Sequence, residues 1–405
     1  MTPTALVTGI GVTAPNGLGT DAFWTATLSG VNGIGKLTRF DPDQYPMRLA
    51  GEIPGFAVAD HLPTRLIAQT DRMTQLSLVA AEWAVADSGA DLGGLSPFEM
   101  AVTTSAASGG FEFGQRELEK LWRQGPSHVS TYMSFAWFYA VNSGQISIRH
   151  DLRGPMSVFV GDQAGGIDAV AHARRAVRKG AKLVLTGGVD GSLSPYGWAA
   201  QLATGRLSPS PDPRRAYLPF SAEACGYVPG EGGAMLVVED AGRARARGAG
   251  GYAEIAGYGS TFDPPPASER EPGLRRAAEL ALADAGLGAD DVDVVFADAA
   301  GVPELDQVEA LALAKIFGPH AVPVTAPKTM TGRLYSGGAA LDLATAALSI
   351  RDGVIPPSIN IGQPAAKYEL DLVTDAPRRI AVRTALVLAR GWGGFNSAMV
   401  LKKPS

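Results

Sequence analysis

The sequence predicts a layered α/β fold made of two similar halves, and three observations lead there. A ten-residue stretch recurs, the same succession of strands and helices follows each copy, and glycine and alanine are interleaved with Val, Leu and Ile throughout. The repeat reads AAEWAVADSG at 80–89 and AAELALADAG at 277–286, with seven of ten positions identical. Each copy has the apolar spacing of an amphipathic helix and ends on a glycine suited to a helix C-terminus. A strand pattern follows in both, MAVTTSAASG at 100–109 and VDVVFADAAG at 292–301. Each half then offers a short strand, a polar turn, a Gly-Gly pair and a long helix. These are SVFVGDQAGGIDAVAHARRAVRKG at 157–180 and, within 322–353, VPVTAPKTM followed by SGGAALDLATAALSIRDG. An apolar strand closes each unit, KLVLTGGVDG in one and RTALVLARGW in the other. Such alternation calls for layered α/β structure. The halves are expected to meet after the basic, glycine-rich GRARARGAGG, giving units 1–250 and 251–405.

Composition narrows the function. The chain has 405 residues, 46% hydrophobic and 19% charged, enough for a large buried core. A net charge of −5 argues against a nucleic-acid partner. No apolar run approaches the roughly 18–20 residues of a membrane helix; the longest aromatic-apolar block, Phe135–Val141, is far shorter, so no membrane association is expected. The start, MTPTALVTGIGV, enters a strand pattern without a basic segment, so no signal peptide is expected and the location is read as cytoplasmic. The single cysteine, Cys225, excludes a disulfide framework and a multi-cysteine metal site. Histidines 61, 128, 150, 172 and 320 share no metal-ligand spacing with one another or with Cys225, so no metal is expected. The segment GIGVTAPNG lacks the spacing of a P-loop.

Helix N-termini that follow a strand are where α/β enzymes place nucleophiles, because free backbone N–H groups and the helix dipole converge there. In the first half that place is GDQAGG, with Gln163 at the turn. Here the chain resembles the β-ketoacyl synthases of the thiolase superfamily, whose elbow carries a cysteine in a T-A-C-A-[ST]-G context; Gln163 stands where that cysteine would be. The resemblance spans nearly the whole chain. It includes VTGIGVTAPNG, the segment PFSAEACGYVPGEGGAMLVVE at 219–239, and GWGGFNSAMVL at 391–401. Gly391, Trp392, Gly393 and Gly394 of that last segment match the family's glycine-rich gate. The resemblance implies a thiolase-like five-layered αβαβα fold from two duplicated halves with pseudo-two-fold symmetry, in agreement with the repeat.

The substitutions decide the chemistry. Condensation in this family needs a thiolate to hold the acyl chain and two histidines near the malonyl thioester. A Gln amide cannot form that thioester. The first family histidine lies in H-G-T-G-T-P, where this chain has DAAGVP at 298–303, so Asp298 replaces it. The second lies in K-x-x-x-G-H; KTMTGR at 328–333 keeps Lys328 but has Arg333. With all three groups lost, the chain is expected not to condense acyl groups alone. An Asp298–Arg333 ion pair is expected to seal the vacated site. Cys225 has no base beside it and is read as structural.

A ketosynthase relative with glutamine at the cysteine position is similar to the non-catalytic ketosynthase-β subunits of type II polyketide synthases. Such subunits set the length of a poly-β-ketone. The resemblance implies a heterodimer with an active ketosynthase-α subunit, an acyl carrier protein as second partner, and no cofactor beyond that carrier's phosphopantetheine. It places the growing chain in a tunnel at the subunit interface. The candidate wall is SGGFEFGQRELEKLW at 108–122 with STYMSFAWFYAVNSGQ at 130–145. Phe111, Gly114 and Leu118 fall on one helical face, and the resemblance makes that face, with Phe135, the tunnel lining. A mid-helix glycine costs about 0.5–1 kcal/mol relative to alanine, so Gly114 indicates that space is wanted there. The expectation is a product longer than an octaketide, such as a decaketide.

Two further readings complete the set. An alternative function is malonyl-carrier-protein decarboxylation centred on Gln163, although a carboxylate at 298 would oppose a developing enolate. The basic run HARRAVRKGAK at 172–182 is read as a solvated helix face, with electrostatic steering of an acidic carrier protein as the alternative.

Overall fold

The computed structural model describes residues 3–265 and 267–405. Ten strands form the frame. The first five are β1 Ala5–Ala14, β2 Met100–Ser105, β3 Met156–Phe159, β4 Leu183–Asp190 and β5 Gly232–Asp240. The second five are β6 Ala253–Phe262, β7 Val294–Phe296, β8 Pro323–Thr325, β9 Thr384–Arg390 and β10 Phe395–Lys402. Flanking helices include α1 Arg72–Ser88, α2 Phe111–Gln124, α3 Asp162–Arg178, α4 Pro195–Leu202, α5 Leu274–Ala285, α6 Pro303–Phe317 and α7 Ser336–Asp352.

The duplication is written in the strand order. From the centre outward the first half runs β1-β5-β4-β2-β3, and the second runs β6-β10-β9-β7-β8, the same permutation shifted by five. Directions match as well: antiparallel at the first two pairings and parallel at the next two in both halves. The halves are stitched where Leu6 and Val7 of β1 pair with Glu254 and Ala253 of β6. Helix α1 covers the outer face of the first half and α5 that of the second, while α3 and α7 pack on each other between them. This gives the five αβαβα layers of the thiolase-like fold.

Contacts across the layers explain the repeated residues. A Cβ on Gly9 would lie 2.2 Å from Ala84 O, and one on Gly257 would lie 2.1 Å from Ala281 O. Gly11 and Gly259 meet Ala80 O and Ala277 O in the same way, at 2.0 and 2.2 Å. The repeated aspartate stands near a helix C-terminus, where the dipole disfavours a carboxylate, so it serves a tertiary contact instead. Asp87 accepts from Ile10 N at 2.8 Å and Asp284 from Tyr258 N at 3.0 Å, each N–H lying between the two glycines. A methyl group forced into this packing is expected to cost about 1–3 kcal/mol. Gly257→Ala should therefore lower the denaturation midpoint clearly, whereas Gly35→Ala, with open space around it, should not.

In the basic run Arg175, Arg178, Lys179 and Lys182 are exposed, as a solvated face requires, and one residue is corrected by the fold. Arg174 is only 5% exposed and is no part of a solvated face. It bonds Asp284 at 2.5 Å and Ala256 O at 2.6 Å, tying α3 to the second half.

Candidate functional site

Two tight elbows open α3 and α7, and each bends through a non-glycine residue with positive φ: Asp162 at 50° and Tyr335 at 52°. Such backbone costs about 1–3 kcal/mol and persists where packing enforces it. Glycines let the two helix starts approach each other. A Cβ on Gly166 would lie 2.6 Å from Ser336 O, and one on Gly338 would lie 2.3 Å from the Gln163 amide. Gln163 thus sits in the first turn of α3, 2% exposed, at the position where a nucleophile would stand.

The amide is occupied. With its oxygen oriented by the surrounding donors, Gln163 accepts from Arg333 Nε at 2.5 Å and from Nη1 at 3.1 Å. Arg333 in turn donates through Nη2 to Asp298 Oδ1 at 3.0 Å and through Nη1 to the Asp298 carbonyl at 2.8 Å, so the expected ion pair is formed. Arg390 clamps the other carboxylate oxygen of Asp298 through Nε at 3.0 Å and reaches Glu309 Oε2 through Nη2 at 3.0 Å. Glu309 also accepts from the backbone N–H groups of Asp298 and Ala299, at 2.7 and 2.8 Å. Lys328 pairs with Asp342 at 2.7 Å and donates to Ala297 O. Three cations thus face three carboxylates in a buried cluster.

Electrostatics follow from that arrangement. Burial alone would raise the Asp298 carboxyl, but Arg333, Arg390 and Lys328 together hold it well below the ordinary carboxylate range. Burial opposes the charge on Arg333, yet Asp298 keeps the guanidinium protonated far above its usual value. Glu309 and Asp342 are pushed up, chiefly by burial. The site therefore holds a fixed carboxylate and a guanidinium committed to it. None of the five histidines lines the cavity beside Gln163. With no imidazole, and with Asp298 ionised, the decarboxylation reading is not favoured. Cys225 is exposed, lies 3.2 Å from Ser208 Oγ and does not line the cavity beside Gln163.

A cavity of about 410 Å³ runs from Gln163 and Arg333 to Phe111, with Tyr335, Ser192 and Trp392 in its walls. The wall segments are fixed by buried carboxylates. Asp71 accepts from Met73 N and Phe113 N at 2.9 and 2.7 Å, setting the start of α2. Asp190 holds the preceding loop through Ser108 Oγ and Ala107 N, each at 2.6 Å. Glu117 joins α2 to the second segment through Ser130 N at 2.7 Å. Of the tunnel residues, Phe111 lines the cavity, whereas Leu118, 43% exposed, lies in an adjacent shallow groove with Trp122. Tyr196 bridges the two, its ring 4.9 Å from that of Phe111. Gly114 faces Trp137 and Met133, and Phe135 packs beside Met73, Ala106 and Val141. The loop 391–394 crosses the elbow: a Cβ on Gly391 would lie 2.1 Å from Gly161 O. Gly393 and Gly394 take φ of 87° and 95°, and Trp392 lies 4.6 Å from the Arg206 guanidinium.

Residues 4–244 match the β-ketoacyl synthase N-terminal domain, and residues 252–362 match its C-terminal domain. The chain belongs to the β-ketoacyl synthase family. Among its relatives, the tetracenomycin polyketide synthase ketoacyl synthase beta subunit of Streptomyces glaucescens is 60% identical over 98% of both chains. An actinorhodin polyketide beta-ketoacyl synthase 2 of Streptomyces coelicolor is 58% identical over 98% of both. Among solved structures, the ishigamide ketosynthase/chain length factor superposes with a TM-score of 0.90 at 26% identity, covering 100% of each chain.

Sequence reading of this family member missed Arg390, Glu309, Tyr196 and Tyr335. Arg390 left a trace: a charged residue closing the buried strand TALVLAR signals a buried counter-ion. Tyr335 left none, because its importance lies in a backbone angle.

Proposed function

We propose that this chain is the chain length factor of a type II polyketide synthase: a non-catalytic subunit that pairs with an active ketosynthase and sets poly-β-ketone length. The observation that carries the reading is the filled elbow. Gln163 occupies the nucleophile position and is bonded to Arg333, itself paired with Asp298, so neither a thiolate nor an imidazole is available. The ketosynthase-β relatives support the same assignment. Gln163, Asp298, Arg333 and Lys328 are then vestigial catalytic positions, and loop 391–394 a vestigial gate. Phe111, Gly114, Leu118 and Phe135 form this chain's share of the tunnel wall. The substrate arrives on the phosphopantetheine of an acyl carrier protein, this chain binds no cofactor of its own, and the complex works in the cytoplasm.

Exposed surface indicates where the ketosynthase docks. Strand β3 is the outermost strand of the first half, with Met156 56% and Val160, just beyond it, 49% exposed. Trp137, Phe138, Tyr139 and Ile148 are exposed in the preceding segment. An open apolar edge strand is a template for pairing with another chain. Co-purification tests this directly: the wild-type chain elutes with its ketosynthase, and Met156→Lys with Val160→Glu weakens the complex at least about tenfold. A wild-type chain that elutes alone beside its cognate ketosynthase would overturn the reading. No helix among the described residues is long and apolar enough to cross a membrane.

A further inference from the structure

We infer that the vacated active-site chamber is itself a binding site, receiving the distal end of the poly-β-ketone and hydrogen-bonding its oxygens through Ser192 Oγ and Tyr335 Oη. This rests on the chain-length reading above and extends it from the interface wall to the interior of this subunit.

The chamber has not collapsed with the loss of chemistry. At about 410 Å³ it falls within the usual range for small-molecule sites, about 300–1,000 Å³. It is continuous from Phe111, a tunnel residue, to Gln163 at the elbow. A chain that passes Phe111 therefore has somewhere to go.

Its walls carry hydrogen-bonding capacity that the protein does not use. Ser192 is 3% exposed and its Oγ has no partner; Tyr335 Oη is likewise buried without one. A buried polar group left unpaired costs about 1–3 kcal/mol, and such groups ordinarily have a partner that arrives with a ligand or water. Tyr335 is moreover held at φ 52° and ψ −133°, costly for an aromatic residue, and lines the cavity from that strained position. Burial keeps its phenol protonated and therefore a donor. Asp162, whose Oδ2 accepts from Trp392 N at 3.2 Å, lines the same space and offers its other oxygen as an acceptor, while Arg333 beside it stays bonded to Asp298 and Gln163.

These groups select a ligand class. A poly-β-ketone carries an oxygen on alternate carbons and exchanges between keto and enol forms, so it offers carbonyl acceptors to Ser192 and Tyr335. Its enol hydroxyls can donate to Asp162. Phe111, Ala107 and Trp392 cover the carbon chain between those oxygens. A saturated acyl chain of the same length would leave Ser192 Oγ and Tyr335 Oη unpaired, which disfavours it.

The test uses the heterodimer with its ketosynthase and malonyl-loaded carrier protein, with product length read by mass spectrometry. Ala107→Leu and Ala200→Phe fill the chamber from two sides, the latter from an exposed position on α4 that burdens the fold little. Ser192→Ala removes a donor without adding volume. Expected are shorter products from the two filling variants and a spread toward shorter chains from Ser192→Ala, each variant still co-eluting with the ketosynthase. Wild-type product lengths from all three, while Leu118→Trp shortens the chain, would show that the chamber holds water and overturn the inference. If Leu118→Trp also leaves length unchanged, the inference falls together with the tunnel assignment it starts from, while loss of long products on omitting this chain would still uphold the chain-length reading.

Discussion

Replacing Arg390 by methionine lowers the stability of the chain by about 3–5 kcal/mol, the usual cost of removing one partner from a buried ion pair. Methionine keeps the volume of the arginine stem, so the loss is electrostatic. Asp298 retains Arg333, but Glu309 is left with backbone donors alone. The pH dependence has a defined sign. The folded-state pKa of Asp298 lies below its ordinary 3.8, so its stabilisation is present above that value and lost as pH falls through the folded one. Glu309 is already pushed upward, chiefly by burial, and loses its cation in the variant. The Asp298 effect is complete by about pH 4, so between pH 4 and pH 7.5 it is Glu309, pushed further up without Arg390, that widens the gap between wild type and Arg390→Met. Urea denaturation at pH 4 and pH 7.5 measures it. An equal gap at both values would mean that the Glu309 carboxylate does not depend on Arg390 for its charge.

The largest functional effect is expected at the tunnel wall. Gly114→Phe and Leu118→Trp shorten the polyketide by whole ketide units when the variants are assayed with a ketosynthase and malonyl-loaded carrier protein. A Cβ at Gly114 would meet Trp137 at 3.6 Å and Met133 at 3.9 Å, ordinary contact distances, but Gly114 is buried and a phenylalanine ring there must displace those side chains, at a cost of about 1–3 kcal/mol. Leu118 is 43% exposed in the isolated chain, so tryptophan there meets little resistance until the partner covers it. Leu118→Trp thus alters product length without loss of folding, and co-elution with the ketosynthase checks that Gly114→Phe is folded too. Unchanged length in both variants removes Phe111, Gly114, Leu118 and Phe135 from the tunnel.

Much of the fold was legible because duplication leaves a long-range signal in a single sequence. The paired residues AAE-A-AD-G at 80–89 and 277–286 proved to be contacts rather than propensity: alanines facing strand glycines, and aspartates satisfying a strand N–H. The empty nucleophile position was legible for a similar reason, since the absence of Cys and His at three motif positions needs no geometry to be read. Beyond the Asp298–Arg333 pair, burial of charge was hardly legible. Arg174 sits in a basic run that looks solvated, and only the packing of α3 against the second half shows it buried on Asp284. Periodicity reports which face of a helix is apolar. It does not report which buried cation meets which carboxylate, so Arg390, Glu309 and Asp342 stayed hidden. Nor can it reveal that Tyr335 lies in the left-handed region.

Reconstitution tests the central claim most directly. A cognate ketosynthase and malonyl-loaded carrier protein are incubated with and without this chain, and products are identified by mass. Long polyketides that appear only when the chain is present, while the chain alone consumes no malonyl thioester, are the predicted result. The same products from the ketosynthase without it would contradict the account.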